Sequence, residues 1–323
     1  MKLVRRYRAG IVGLGQVGML FDEDKKRSGV WTHFTAYERL ADRFELVAVC
    51  DVDPHRRSQA SARAPQVRCY DNIDAMLAAE QLEVVSLCTP PELHGAQILA
   101  CAGQVRAVIC EKPLGDLATG EKAVAACAAA NTLLVVNYYK RYDGCMPHVL
   151  DLLHRQVIGK VRFATALYTG PFDAVGSHSI DLLRFLLGKL TLKYTLPIEP
   201  DRLVAIFTFG EDGEAALHGI GPREDLVFEL DLIGSEGRIR VLDNCARAKV
   251  YRFIISPHYG GYRELSLEPE REYVTNERFL PLFVHVADWL DGKRIPLVSD
   301  GASALETQRL MEQIRIEFER KTH

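Results

Sequence analysis

Gly13, Gly15 and Gly18, with Gln16 and Val17 between the last two, follow directly on a short apolar run at residues 8–12. Alone, the spacing G-x-G-x-x-G says little. Behind a strand, ahead of a helix and at the head of a βαβ unit, it marks a dinucleotide-binding loop. Gly13 allows a tight turn, Gly15 lets the backbone approach a pyrophosphate, and Gly18 permits close helix–strand packing. The first N–H groups of the helix then face the anion. Asp51 ends the next apolar run, where a carboxylate can accept from an adenosine ribose 2′-hydroxyl. It lies further from Gly18 than the usual ~20 residues. The excess falls in the charged stretch 21–30, which reads as an inserted loop. A carboxylate at Asp51 repels a 2′-phosphate, so NAD is the expected cofactor. His55, Arg56 and Arg57 are near enough to reach a phosphate and keep NADP as the alternative.

These residues need a parallel sheet to hold them. Apolar runs at residues 8–12, 46–50, 84–88, 107–110 and 133–136 read as strands covered on both faces. Helical stretches of about 10–15 residues separate them, and that alternation means right-handed βαβ units. Asn72 is expected to cap the helix through Met76, Gly103 to stop the helix through Leu99, and Thr119 to cap the Ala-rich helix ending near Asn131. After about residue 142 the pattern changes. A helix at 149–157 precedes a strand at 161–168, and a helix at 180–187 stops at Gly188. Hairpin-like strands follow, turned by Glu211-Asp212-Gly213 and by Gly234-Ser235-Glu236-Gly237. Helices return at about 281–290 and 302–319. The expected fold is α/β: a Rossmann domain at residues 1–140, then at 141–323 an α+β domain on a large, mostly antiparallel sheet. The last helices are allowed to pack back on the first domain.

Composition narrows the function. The 323 residues hold 40 Lys and Arg against 43 Asp and Glu, for a formal charge of −3 with no dense basic block, which argues against a nucleic-acid partner. No run of about 18 apolar residues is present, so no membrane partner is expected. The N-terminus begins basic but leads into a short strand rather than a signal-peptide core. The eight cysteines are scattered and form no C-x-x-C pair, so no metal is expected. Several sit inside apolar runs and read as reduced, buried thiols of a cytoplasmic protein.

Four segments then come together in order: the glycine loop; Cys88-Thr89-Pro90-Pro91-Glu92-Leu93-His94; Glu111-Lys112-Pro113; and Gly176-Ser177-His178-Ser179-Ile180-Asp181. The set resembles the glucose–fructose oxidoreductase / inositol dehydrogenase / MocA family over most of the chain, most strongly up to about residue 190. The resemblance implies a nicotinamide cofactor and hydride chemistry on a small polyhydroxylated substrate, a sugar, sugar derivative or cyclitol. It also implies a homodimer or homotetramer formed through the open sheet face. By the same resemblance, Thr89, Pro90 and His94 lie along the cofactor and Glu111 binds the nicotinamide ribose side. Lys112 faces the substrate hydroxyl, Asn137 and Arg141 line the substrate cleft, and His178 is the catalytic histidine. One position departs from the pattern. Family members often carry an acid four residues before that histidine, where this chain has Ala174, and Asp173 is one residue off register. Asp181, one helical turn after His178, is either a substitute near the substrate or a support for the helix N-terminus.

The chemistry suits those residue types. Oxidising a secondary alcohol removes a proton from oxygen while hydride leaves carbon. An imidazole takes the proton well, and a lysine can donate to the developing alkoxide. The cofactor accepts the hydride, so no metal is required. The alternatives are a net-redox-neutral enzyme that retains NAD, such as an epimerase or a glycosidase-like enzyme, and a non-catalytic NAD-binding regulator.

Overall fold

The computed structural model describes residues 5–322 except 28, 200–201, 223, 275–277, 294 and 297. The chain divides into two compact units: residues 1–139 with Arg278–Glu306, and Lys140–Glu277 with Thr307–His323.

The first unit carries six strands: β1 (Tyr7–Val12), β2 (Phe44–Cys50), β3 (Arg68–Tyr70), β4 (Val84–Leu87), β5 (Ala107–Cys110) and β6 (Leu133–Val136). They form one sheet in the order β3-β2-β1-β4-β5-β6 with every pairing parallel. Every residue of β4, β5 and β6 is buried, which is why those strands read as unbroken apolar runs rather than alternating ones. Between the strands run α1 (His33–Arg39), α2 (Pro54–Arg63), α3 (Ile73–Ala79), α4 (Pro91–Cys101) and α5 (Leu117–Ala129), and α8 (Leu280–Leu290) joins them from the far end of the chain. Asn72 caps α3 by accepting from Ala75 N–H, and Gly103, at φ 80°, follows the end of α4 as expected. The cap of α5 differs from expectation. Asp116, not Thr119, is the N-cap, and its carboxylate accepts both the backbone N–H and the hydroxyl of Thr119. Both residue types cap well, and only the backbone path through Gly115 puts Asp116 first.

The start of α1 also differs. The glycine loop makes one helical turn, with Met19 N–H donating to Gly15 O and Phe21 N–H to Gln16 O. The chain then leaves through a short 3-10 turn at Leu20–Glu23 and returns only at His33. There His33 N–H donates to Val17 O and Phe34 N–H to Gly18 O. The α1 helix therefore resumes the turn begun by the glycine loop, and the charged stretch is an excursion from it. Asp22 closes the excursion by accepting from Trp31 N–H and the Thr32 hydroxyl.

The second unit carries an eight-stranded sheet in the order β14-β13-β12-β11-β7-β10-β9-β8. Its strands are β7 (Val161–Tyr168), β8 (Leu190–Glu199), β9 (Arg202–Phe209), β10 (Gly213–Gly219), β11 (Phe228–Gly234), β12 (Gly237–Leu242), β13 (Arg247–Ile255) and β14 (Arg263–Val274). All pairings are antiparallel except β7 with β10. Burial alternates along β9, β11 and β12, as one covered face requires. Residues of α6 (Met146–His154), α7 (Ser177–Leu187) and the later part of α9 (Gly301–Thr322) share one apolar core with that face, through Val149, Ile180, Leu183 and Met311. A π-helical turn at Phe172–Gly176 leads into α7. A Cβ at Gly176 would stand 2.9 Å from the Tyr168 and Phe172 rings, so no larger residue fits there.

Candidate functional site

In the first unit the strand order reverses between β1 and β4, and ligands of such sheets bind beyond the strand ends at that point. A cavity of about 710 Å³ opens there. Gly13, Gly15, Gln16 and Val17 line it from the end of β1, Asp51 from the end of β2, and Thr89 and Pro90 from the end of β4. The glycines divide as their spacing predicts. A Cβ at Gly18 would lie 2.1 Å from Gly13 O, and one at Gly13 would lie 2.7 Å from the Cys88 backbone. A Cβ at Gly15 would meet only the Arg56 guanidinium at 3.8 Å. Gly13 and Gly18 are therefore required by the protein's own packing, whereas Gly15 leaves room beside the cavity for a diphosphate.

Asp51 has a structural task beyond the one its position suggests. Its Oδ2 accepts from Leu14 N–H at 2.7 Å and its Oδ1 from Asp53 N–H at 2.9 Å, tying the glycine loop to the end of β2. Of His55, Arg56 and Arg57 only Arg56 lines the cavity, 3.6 Å from Asp51 Oδ2. The Arg57 guanidinium donates instead to the carbonyls of Asp51 and Val52.

His94 does not line that cavity. It is fully buried, and its ring nitrogens face Pro113 O at 2.5 Å and Thr89 O at 2.8 Å. It fastens the loop after β4 to the loop after β5. The Lys112–Pro113 bond it holds is cis. Glu111 and Asn137, at the ends of β5 and β6, meet directly: Asn137 Nδ2 donates to Glu111 Oε1 at 2.5 Å. Asn137 Oδ1 is buried and accepts no hydrogen bond among the described residues. An orphaned acceptor beside a carboxylate suits a ligand that brings hydroxyl or amide donors, as a nicotinamide riboside does. The residues present therefore fit a dinucleotide at both ends.

Sequence reasoning missed a residue at this end. His33, at the first position of α1, is fully buried and sets Nε2 3.2 Å from Glu111 Oε1 and Nδ1 2.9 Å from Ser86 Oγ. Burial pushes the Glu111 carboxyl up. The hydrogen bond and charge of His33, the Asn137 amide and the Lys112 ammonium outweigh it and hold the group below its ordinary range. Nothing in the local pattern around His33 announces this contact, because every partner is remote in sequence.

In the second unit His178 is buried in the first turn of α7. Asp181 does not support that helix terminus. Arg141 Nε donates to its Oδ2 at 2.7 Å, Arg141 NH2 to its Oδ1 at 2.5 Å, and Thr307 Oγ1 to Oδ1 at 3.0 Å. The two side chains are 3% and 1% exposed, so Arg141 and Asp181, expected at the substrate, form a buried fork with each other. Tyr138 belongs to the apolar core of the first unit. Among the described residues no cluster of three or more His, Cys, Asp or Glu side chains is placed to hold a metal ion, and no helix is long and apolar enough to cross a membrane.

Residues 7–138 match the family model described as an oxidoreductase family with an NAD-binding Rossmann fold. Over those residues the chain is similar to the group of glucose–fructose oxidoreductase, inositol dehydrogenase and MocA. It is 28% identical over 206 residues to the D-apiose dehydrogenase of Paraburkholderia graminis, a match covering 58% of this chain and 52% of the relative. It is 29% identical over 207 residues to an inositol 2-dehydrogenase of Rhizobium meliloti, covering 58% and 57%. These matches span little more than half the length of the curated relatives. The fold likeness is wider. The WlbA dehydrogenase of Bordetella pertussis, solved with NADH and UDP-GlcNAcA, superposes with a TM-score of 0.77 at 21% identity, over 98% of this chain and 97% of that one.

Proposed function

We propose that the protein is an NAD-dependent dehydrogenase or reductase that moves a hydride between the nicotinamide and a secondary alcohol or ketone of a sugar, sugar derivative or cyclitol. The observation that carries this reading is the pairing within one unit of a dinucleotide cavity and a separate acceptor pair, Glu111 with Asn137, at the adjoining strand ends. The glycine loop, Asp51, Thr89 and Pro90 hold the adenosine and diphosphate part. Glu111 and Asn137 receive the donors of the nicotinamide riboside. When bound, the nicotinamide supplies the hydride acceptor. Lys112, at a strand end and next to a proline, donates to the substrate oxygen as negative charge builds on it. His178 takes the hydroxyl proton without an acid at position 174. Arg141 and Asp181 act behind the substrate wall rather than on the substrate.

Asp51 favours NAD over NADP by repelling a 2′-phosphate, against the pull of Arg56. A homodimer or homotetramer completes the reading on the resemblance, and a cytoplasmic location on the buried thiols.

The test supplies NAD with a panel of sugars, sugar acids and cyclitols and follows reduced nicotinamide by absorbance. Turnover with stoichiometric reduction is expected for at least one substrate. Lys112→Ala should retain NAD affinity and lose turnover, and His178→Ala should lose a factor of about 10²–10⁴. Product formed with no accumulation of reduced nicotinamide would replace this reading with a redox-neutral one. Tight NAD binding with no turnover of any substrate would replace it with a regulator.

A further inference from the structure

A line of side chains runs through the core of the first unit to the end of β5. Tyr37 OH lies 2.8 Å from Ser86 Oγ, Ser86 Oγ lies 2.9 Å from His33 Nδ1, and His33 Nε2 lies 3.2 Å from Glu111 Oε1. Its polarity follows from the far end. An ionised carboxylate only accepts, so His33 Nε2 carries the hydrogen. In the neutral form of the ring Nδ1 is then an acceptor, to which Ser86 donates, and the Ser86 oxygen accepts from the Tyr37 phenol. Burial pushes the Tyr37 phenol up, which keeps it a donor. Every donor in the line finds an acceptor in this one arrangement.

The ring of His33 is also held sideways. Phe279 and Phe283 meet it edge-on, with centroids 5.3 and 5.2 Å away. Phe279 adopts φ 66° and ψ −50°, and Leu280 N–H donates across it to Arg278 O, a strained γ-turn for a bulky residue. Such strain persists only where surrounding contacts enforce it. The Phe279 side chain is buried against the His33 ring, so the turn delivers a wall to the imidazole.

We propose that His33 is a positioning residue: with Ser86 and Tyr37 behind it, it pins Glu111 Oε1 and leaves Oε2 as the oxygen of that carboxylate directed at a ligand hydroxyl or amide. Both His33 Nε2 and Asn137 Nδ2 reach the same oxygen, Oε1. Among the described residues Oε2 makes no hydrogen bond. The titratable groups bearing on this carboxylate are His33 from α1, Lys112 beside it, and Cys88 and Cys110 at the ends of β4 and β5. Burial, then the Glu111 charge, pushes both thiols well up, so neither competes in the pH range of interest. That the ligand on Oε2 is the nicotinamide riboside rests on the function proposed above; the pinning itself does not.

The experiment reads the Glu111 carboxyl by infrared pH titration of the full chain without cofactor, its band assigned by loss in Glu111→Gln. In the parent the carboxylate persists below the ordinary carboxyl range and protonates only as pH falls further. His33→Leu removes one donor to a charged acceptor and leaves the burial, so the titration should move up by about one pH unit or more. His33→Gln, whose amide reaches the Nε2 position, should recover most of the shift. Ser86→Ala, which leaves Glu111 its direct donor, should give a smaller shift and keeps the test alive if His33→Leu fails to fold. A folded His33→Leu with the parent titration overturns the proposal, as does Gln behaving like Leu. NAD affinity, measured in parallel by fluorescence, separates the two readings. A titration that shifts in variants of a protein that does not bind NAD would spare the pinning and sink the dehydrogenase.

Discussion

Replacing Asp51 with Asn separates the two tasks of this side chain. The residue is 6% exposed, and its two oxygens accept from different backbone N–H groups, Leu14 at 2.7 Å and Asp53 at 2.9 Å. An asparagine has one oxygen. Its amide must turn NH₂ toward one of the two N–H groups, setting donor against donor. The bond to Leu14 is the more deeply buried, so the oxygen goes there and the Asp53 N–H loses its partner. One hydrogen bond to a charged acceptor is thereby lost, worth about 1.5–3 kcal/mol. Asp51→Ala loses both, about twice as much. Urea unfolding at fixed pH measures this directly, the midpoint moving with little change in slope. The Leu14 N–H bond that tethers the glycine loop survives in Asp51→Asn and is lost in Asp51→Ala, so NAD affinity should fall roughly ten- to hundredfold in Asp51→Ala, the binding equivalent of one such bond. NADP should lose less, because the repulsion of a 2′-phosphate disappears. The reasoning fails if Asp51→Asn stays within about 0.5 kcal/mol of the parent, the range of an ordinary surface change, or if Asp51→Ala unfolds no earlier than Asp51→Asn.

Other outcomes follow from the same geometry. Gly18→Ala places a methyl 2.1 Å from Gly13 O and should destabilise the protein by about 1–3 kcal/mol even without ligand. Gly15→Ala meets only a guanidinium at 3.8 Å, so it should melt like the parent without NAD and lose the stabilisation NAD gives; parent-like NAD binding would refute the close approach. Arg141→Met strands a buried carboxylate and should cost about 3–5 kcal/mol in urea unfolding, with Arg141→Met/Asp181→Leu recovering much of it. Of eight free thiols only Cys69 is exposed, and burial pushes Cys50 and Cys101 up to about 12 and Cys127 to about 11. An aromatic disulfide reagent should therefore count one thiol per native chain and eight after denaturation. The native reaction should quicken as pH rises, because burial also lifts the Cys69 thiol above its ordinary value.

What the sequence could show depended on how local the cause was. The parallel strands were legible because helices cover both faces, and β4 to β6 had to be continuously apolar. The inserted loop was legible as an excess of residues between Gly18 and Asp51. Its manner of insertion was not, since the backbone bonds from His33 to Val17 and from Phe34 to Gly18 leave no mark on composition. The cap at Asp116 was misplaced onto Thr119 because both residue types compete for the same N–H groups. At the candidate site, the family resemblance pointed to Glu111 and Lys112 and strand-end position to Asp51, but neither pointed to His33, whose partners lie at positions 86 and 111. Nor could it show that Asp181 is spent on Arg141, forty residues away. Buried polar networks join residues by fold, not by interval, and periodicity carries no information about them.

The return of Arg278–Glu306 to the first unit has a consequence for how the chain is made. Translation delivers all six parallel strands early, then the 138 residues from Lys140 to Glu277, before the segment that completes the first unit emerges. At roughly 5–20 residues per second that interval is on the order of ten seconds. Throughout it Tyr7 lacks Asp291, Arg43 lacks Asp288, Val136 lacks Ser299 and the His33 ring lacks both phenylalanines. Until residues 278–306 arrive, the first unit thus lacks contacts that its folded form contains at both its sheet and its His33 ring. It also cannot be released whole by a protease, since one cut anywhere between residues 140 and 277 leaves part of it on each fragment.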